Sequence, residues 1–281
     1  MGTLYANKVT QLGAVYANAA FYDGRTMTED DTSVAFGGSA AAARSMELLW
    51  GTKPPPSRGR KPGMSVDRIV AAAIEVADAE GLDGLSMRRV ADALGVGTMS
   101  LYRYVPSKAE LQDLMLDTVM GEDLPLDLGT GGWRAGLERL ARISLDGYLK
   151  HPWLLRTSLT RGAMGPNQAA ALDAVLRALD GIGLTGGERM AVVQLVTGYA
   201  QGVARQLVDS TRAQQRTGLS DEQFWTELAP LLDGRLTAER FPALTELWHK
   251  EEFDWVDPFD FGLRRVLDGV ETLVDSRKVG S

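Results

Sequence analysis

No cysteine occurs among the 281 residues, and only 2 histidines do. The first absence excludes disulfide frameworks, thiolate metal sites and cysteine nucleophiles. The second leaves little imidazole chemistry: His151 stands before a proline, His249 has no triad partner nearby, and neither has a metal-ligand companion four residues on. A Gly-rich phosphate cradle is missing as well. Glu251, Glu252, Asp254, Asp257 and Asp260 form a dense acidic run, but Phe253 and Trp255 interleave it without the spacing of a calcium loop. A solvated loop is favoured there over a cation site. An enzyme therefore has little to stand on, and no metal or cofactor is expected.

Long apolar runs are absent too. None approaches the roughly 20 residues that span a bilayer, and no basic segment leads into an apolar core of secretory type. The expectation is a cytoplasmic protein without membrane contact. Nor is there an excess of positive charge. The formal net charge is −7, so any binding of a polyanion must come from a local basic patch on an acidic body. What the chain does have is length for two domains and a tail, and a 44% hydrophobic content able to build a sizeable core.

Residues 86–108, SMRRVADALGVGTMSLYRYVPSK, read as two short helices joined by a glycine-containing turn. Met87, Val90, Ala91 and Leu94 fall at i, i+3, i+4 and i+7, one apolar stripe that Ser86 can cap. Gly95-Val96-Gly97 breaks it. A second helix, opened by Thr98 as its cap, turns Leu101 and Val105 inward and leaves Met99, Ser100, Tyr102, Arg103 and Tyr104 outward or sideways. Pro106 ends it, because the residue before a proline is pushed out of the α region. Two helices about a short turn, with a polar and aromatic outer face on the second, form the helix-turn-helix that seats a recognition helix in the DNA major groove.

Individual residues support that reading. Arg88 lies in the first turn of its helix, where its charge opposes the helix dipole, so a DNA contact accounts for it better than stability does. Tyr102 and Tyr104 could be half-buried rings, yet beside Arg103 they make a poor core and a good backbone clamp. Their hydroxyls suit phosphate oxygens, and the guanidinium suits guanine's acceptor pair. Ser107 and Glu110 fit a capping box that opens a further helix, 107–121, with Leu111, Leu114, Met115 and Thr118 on one face.

On these residues, the run 66–116 resembles the DNA-binding domain of the TetR family of one-component transcriptional repressors. The likeness is carried by 72–81 at the end of the first helix, by Leu85-Ser86-Met87-Arg88, and by Leu101-Tyr102-Arg103-Tyr104-Val105-Pro106-Ser107-Lys108. It implies that Thr98, Ser100, Tyr102, Tyr104 and Lys108 touch double-stranded operator DNA, and that helix 107–121 transmits an effector signal. Just ahead of the first helix, 66–80, stand Arg58, Arg60 and Lys61. They read equally as a solvated linker or as a basic arm that reaches phosphates or the minor groove.

Residues 1–56 stand apart as an N-terminal extension expected to be mostly disordered, with weakly alternating small and apolar types over 1–20 and few bulky apolar residues over 26–43. Within it, 44–51 (RSMELLWG) has Met46, Leu49 and Trp50 at helical spacing, enough for a turn or two. Covering an apolar patch of its own domain is favoured over binding a partner. Pro54-Pro55-Pro56 marks the boundary of a DNA-binding domain, 57–121, and a Gly-, Pro- and Asp-rich loop then leads to a larger domain, 132–281.

Beyond that loop the periodicity predicts helices over 133–150, 166–182, 187–216, 221–232, 241–250 and 258–277, with no alternation long enough for a sheet. Gly198 and Gly202 interrupt the apolar face of the long helix, so close approach of another helix or a ligand is expected there. The last helix is apolar on a wide face through Phe259, Leu263, Val266, Leu267, Val270, Leu273 and Val274, which suggests intermolecular burial. Gly132-Trp133, His151-Pro152-Trp153, Gly165-Pro166-Asn167, Gly198-Tyr199-Ala200-Gln201-Gly202 and Phe259-Asp260-Phe261-Gly262-Leu263 resemble the tetracycline-repressor-like C-terminal domain. That resemblance implies a homodimer held by a four-helix bundle, with 187–216 and the last helix from each subunit.

Tetracycline repressors hold their drug through a magnesium ion, served by a histidine and a glutamate. Here Gln206 stands at the glutamate's place and 156–161 offers no histidine, so a magnesium–tetracycline chelate is not expected. Trp153, Arg156, Gln194 and Tyr199 are the candidates to line a pocket for an unknown small-molecule effector, each with a core or capping role as its alternative. The expected protein is all-α: an N-terminal three-helix helix-turn-helix domain followed by a larger helical ligand-binding and dimerisation domain. Its function would be that of a ligand-released repressor, with a constitutive or architectural DNA-binding dimer as the alternative.

Overall fold

A computed structural model of the chain describes residues 39–51, 64–157, 163–220, 235–248 and 257–279, together with 223–224, 227 and 231–232. The described elements are helical, as an all-α reading requires. In order they are α1 (Ser39–Leu49), α2 (Val66–Gly84), α3 (Met87–Leu94), α4 (Thr98–Tyr102), α5 (Lys108–Met120), α6 (Gly132–Lys150), α7 (Pro166–Ala178), α8 (Gly186–Thr217), α9 (Pro242–Trp248) and α10 (Pro258–Val279), with a 3-10 turn, Pro152–Arg156, after α6. The tail over 1–38, the basic arm Arg58, Arg60 and Lys61, most of the expected helix 221–232, and residues 249–256 of the acidic stretch lie outside the described residues.

In the N-terminal part, Ser65 caps α2 by accepting from the Arg68 amide at 3.2 Å, and the helical backbone breaks at Gly81, whose φ of +73° glycine adopts without penalty. Ser86 caps α3 in the same way, and Gly95 closes it in the left-handed conformation, its N–H directed at the carbonyls of Ala91 and Asp92. Ile69, Ala73, Val90, Ala91, Leu101, Val105, Leu111 and Met115 are completely buried. Burying each larger side chain contributes about 1.5–3 kcal/mol, so α2 and α5 form a rigid seat for the two shorter helices.

Two caps differ from expectation. Gly97, extended at φ −73° and ψ 140°, occupies the cap position of α4, and Thr98 is already helical. Ser107 does cap α5, accepting from the Ala109 amide at 3.1 Å, but no capping box closes. Glu110 instead receives the Ser107 hydroxyl and the Arg44 guanidinium. The closed box belongs to α8, where the Thr185 amide donates to Glu188 at 2.8 Å and the Glu188 amide to the Thr185 hydroxyl at 3.3 Å.

In the C-terminal part, α6, α7, α8 and α10 enclose Leu137, Ala141, Val175, Val196, Ala200 and Leu267. The broad apolar face of α10 is mostly spent here: Phe259, Leu263, Leu267, Val270 and Val274 are buried within the chain, and Val266 and Leu273 are left partly exposed. A face covered by its own domain has the same sequence pattern as one covered by a partner, so the expectation of intermolecular burial was too broad for these five residues. A Cβ at Gly198 or Gly202 would meet nothing within 4 Å, so the helix or ligand expected to approach there is not one of this chain's own described helices.

α1 runs longer than the expected turn or two. It packs along α5, with Leu48 and Leu49 against the core of the N-terminal part.

Candidate DNA-binding surface and its connection to the C-terminal domain

Leu101 and Val105 are completely buried, and they anchor a short helix whose other side faces outward. Met99 is 77% exposed and Tyr102 42% exposed. Arg103 is exposed, and its side chain makes no hydrogen bond or ion pair among the described residues. Thr98 and Ser100 are half-buried at the start of α4. Arg88 has Asp92 at 4.0 Å as its ion pair, across two highly exposed side chains, which is too loose to hold it. Its neighbour Arg89 is bound to Glu80 at 2.6 and 2.8 Å. Unpaired guanidinium and phenol groups standing on a rigid core can donate to phosphate oxygens and to base edges.

Two expected contacts are placed differently. Tyr104 is half-buried and packs on the domain core. Lys108 donates its Nζ to the Leu82 carbonyl at 3.1 Å, which pins the start of α5 to the end of α2.

Two joints connect this domain to the rest. In the first, His151 is 2% exposed and lies between two carboxylates, with Nδ1 2.8 Å from Asp78 on α2 and Nε2 3.1 Å from Glu122 just past α5. The Trp153 indole donates to the same Asp78 oxygen at 2.8 Å, and Arg156 forks onto Asp83 at 2.6 and 3.0 Å. Burial raises the Glu122 carboxyl, but Lys150 and His151 together outweigh it and hold the group below the usual carboxylate range. Arg156 holds the exposed Asp83 down in the same sense. Arg205 of α8 donates to the Leu155 carbonyl at 2.9 Å, tying the turn to the long helix.

In the second joint, Asp117 of α5 is 4% exposed and accepts from the amides of Gln168 at 2.9 Å and Asn167 at 3.4 Å. A carboxylate there satisfies the orphan N–H groups of the first turn of α7 and complements its dipole. Gly165 is required for this approach, because a Cβ would lie 2.2 Å from Asp117.

The profile of the family described as "Bacterial regulatory proteins, tetR family" matches residues 69–113, and that of the "Tetracyclin repressor-like, C-terminal domain" matches 124–274. The chain is 48% identical over 242 residues to the HTH-type transcriptional repressor DrrR1 of Streptomyces coeruleorubidus, covering 86% of this chain and 90% of that one. The chain belongs to the TetR family. It is also 34% identical over 215 residues to an HTH-type transcriptional regulator of Saccharopolyspora erythraea, covering 75% of this chain and 86% of that one. The crystal structure of the TetR family protein ActR of Streptomyces coelicolor in complex with actinorhodin superposes with a TM-score of 0.61 at 30% identity, covering 75% of this chain and 99% of ActR. The helix-turn-helix of α3 and α4 is thus the DNA-binding motif of a TetR-family transcriptional regulator.

In this TetR-family chain the four candidate pocket residues do not converge. Trp153 and Arg156 serve the first joint. Tyr199 donates its hydroxyl to the Pro258 carbonyl at 2.7 Å, with the Phe259 carbonyl 3.0 Å away, and its ring fills the space left by Gly262. Gln194 is half-buried on α8. Polar groups on inner faces were the natural candidates, but such groups are also the ones that satisfy buried backbone and charge. A groove of about 510 Å³ lies elsewhere, between α8 and α10, and Ala191, Val192, Leu195, Val266, Gly269 and Leu273 line it. The sequence reading missed Asp78, Glu122 and Asp117. The His151-Pro152-Trp153 and Gly165-Pro166-Asn167 motifs were the available signals, but the partner of the second stands 50 residues away.

Proposed function

We propose that this TetR-family regulator is a homodimeric repressor of a pseudo-palindromic operator, acting in the cytoplasm and released by a small, largely apolar molecule bound in its C-terminal domain. The observation that carries the DNA reading is α4 itself, with Met99, Tyr102 and Arg103 outward over buried Leu101 and Val105. Arg88, Thr98 and Ser100 extend that surface. Lys108 and Tyr104 support it from behind, and Arg58, Arg60 and Lys61 supply charge on the approach. The likeness to ActR, crystallised with actinorhodin and with (S)-DNPA, supports a small-molecule effector. The groove between α8 and α10 supports a two-fold bundle, with Leu195, Gly198 and Gly202 on one exposed stripe where a second copy's helix can come close.

Selection of bound duplexes from a random pool, followed by gel-shift titration, tests the DNA reading. The expected product is a pseudo-palindrome whose half-spacing matches two recognition helices. Recovery of unrelated sequences bound with equal affinity would overturn it in favour of an architectural protein. A small-molecule screen by thermal shift, with hits carried into operator titration, tests the release. Linkage demands that hits bind the non-operator state better, and a tenfold loss of operator affinity needs only about 1.4 kcal/mol of coupling.

A further inference from the structure

α5 carries Glu110, Asp113 and Asp117 at i, i+3 and i+7, so they lie along one face of the helix. Each is engaged from outside the helix. Arg44 of α1 donates to Glu110 at 2.9 Å, where the carboxylate is completely buried. Ser45 of α1, 1% exposed, donates to Asp113 at 2.6 Å, and the Ala163 backbone supplies Asp113 with a further hydrogen bond. Asp117 receives the amides that open α7. Just past α1, Trp50 reaches that lead-in directly, its indole donating to the Met164 carbonyl at 3.0 Å. α1 and Trp50 together therefore grip two things at once: the helix that follows the recognition helix, and the segment that leads into α7. Neither family profile covers α1.

We infer that α1 with Trp50 is an intramolecular clasp that fixes α5 to the lead-in of α7 and thereby sets operator affinity, with Glu110 and Asp113 as its positioning residues. The inference rests on the DNA-binding reading above. Its physical basis is preorganisation: two recognition helices fit two half-sites without further cost only if each DNA-binding domain is already held in place. Arg44 is what makes burial of Glu110 tolerable, since an unpaired buried carboxylate is strongly destabilising. Loss of the Arg44–Glu110 contact is therefore felt at Lys108, two residues away, where α5 is pinned to α2.

The test uses the full chain with Arg44→Ala/Ser45→Ala and, separately, Trp50→Phe, which keeps a ring and deletes one hydrogen bond. Hydrogen exchange is read at the amides of 109–120 and 167–168, and affinity is read on the selected operator and on an unrelated duplex of equal length. The double variant should exchange at least about tenfold faster at both groups of amides, as expected for losing hydrogen bonds to charged groups. It should bind the operator more weakly while the unrelated duplex is unaffected, and Arg44→Lys should recover part of the loss. Trp50→Phe should speed exchange at 167–168, and it keeps the question open to measurement if the double variant does not fold. Faster exchange confined to 39–51, or faster exchange at α5 with unchanged operator affinity, would overturn the clasp. If no duplex is selected over random DNA, the DNA-binding reading fails by itself, and the exchange measurement still decides whether α1 holds α5 to α7.

Discussion

At the scale of the residue, Arg103 and Lys108 separate two kinds of cation on one motif. Arg103 has no described partner, so Arg103→Ala should cost about 1–3 kcal/mol of specific binding, relax one base preference and leave the melting temperature unchanged. Lys108 donates to the Leu82 carbonyl, so Lys108→Ala should lower the melting temperature as well as the DNA affinity, through a hydrogen bond worth about 0.5–1.5 kcal/mol. Gel-shift titration beside thermal melting checks both. The inward placing of Leu101 and Val105 and the outward placing of Met99, Tyr102 and Arg103 were legible, because the helical period alone decides them. The role of Lys108 was not, since its acceptor is a backbone atom 26 residues earlier, which no local pattern reveals.

At the scale of the element, the joints between helices respond to acid with a defined sign. The folded Glu122 carboxyl lies below its ordinary value of 4.5, so its contribution is complete above that value and is lost as pH falls through and below it. Melting temperature followed from about pH 6 to about pH 3 should fall, and Glu122→Gln should be less stable at the upper end and show a shallower fall. A steric test addresses the other joint. Gly165→Ala places a methyl group against Asp117 and should destabilise by about 1–3 kcal/mol, while Gly186→Ala, with open space around it, should not. Helix ends were readable where the chain supplies its own stop, as at Ser86, Gly95 and Pro106. The box at Ser107 was misjudged because a tertiary partner, Arg44, engages the Glu110 side chain that would have completed it, and the cap of α4 lies one residue earlier than expected, at Gly97, with no side-chain hydrogen bond to mark it.

At the scale of the whole molecule, the exposed rows of α8 and α10 assign different consequences to neighbouring substitutions. Leu195→Asp combined with Leu273→Asp should give a folded monomer with greatly weakened operator binding, because both side chains line the outer groove. Leu267→Asp should unfold the subunit instead, since Leu267 is 2% exposed within the chain. Sedimentation together with circular dichroism distinguishes the two; a variant pair that stays dimeric would remove this face as the subunit contact. The DNA-binding domain is seated on the rest of the chain over a broad patch: α2 meets the 151–156 turn through Asp78 and Asp83, Asp117 receives the start of α7, Trp50 bonds the Met164 carbonyl, and Tyr148, Leu154, Leu155, Ala204 and Val208 share its buried core. So broad a seat resists swinging of the domain about a single line, and a change in the packing of α8 would have to carry the domain with it as one body. In the homodimer proposed above, such a displacement in each copy would act as a caliper, opening or closing the gap between the two recognition helices.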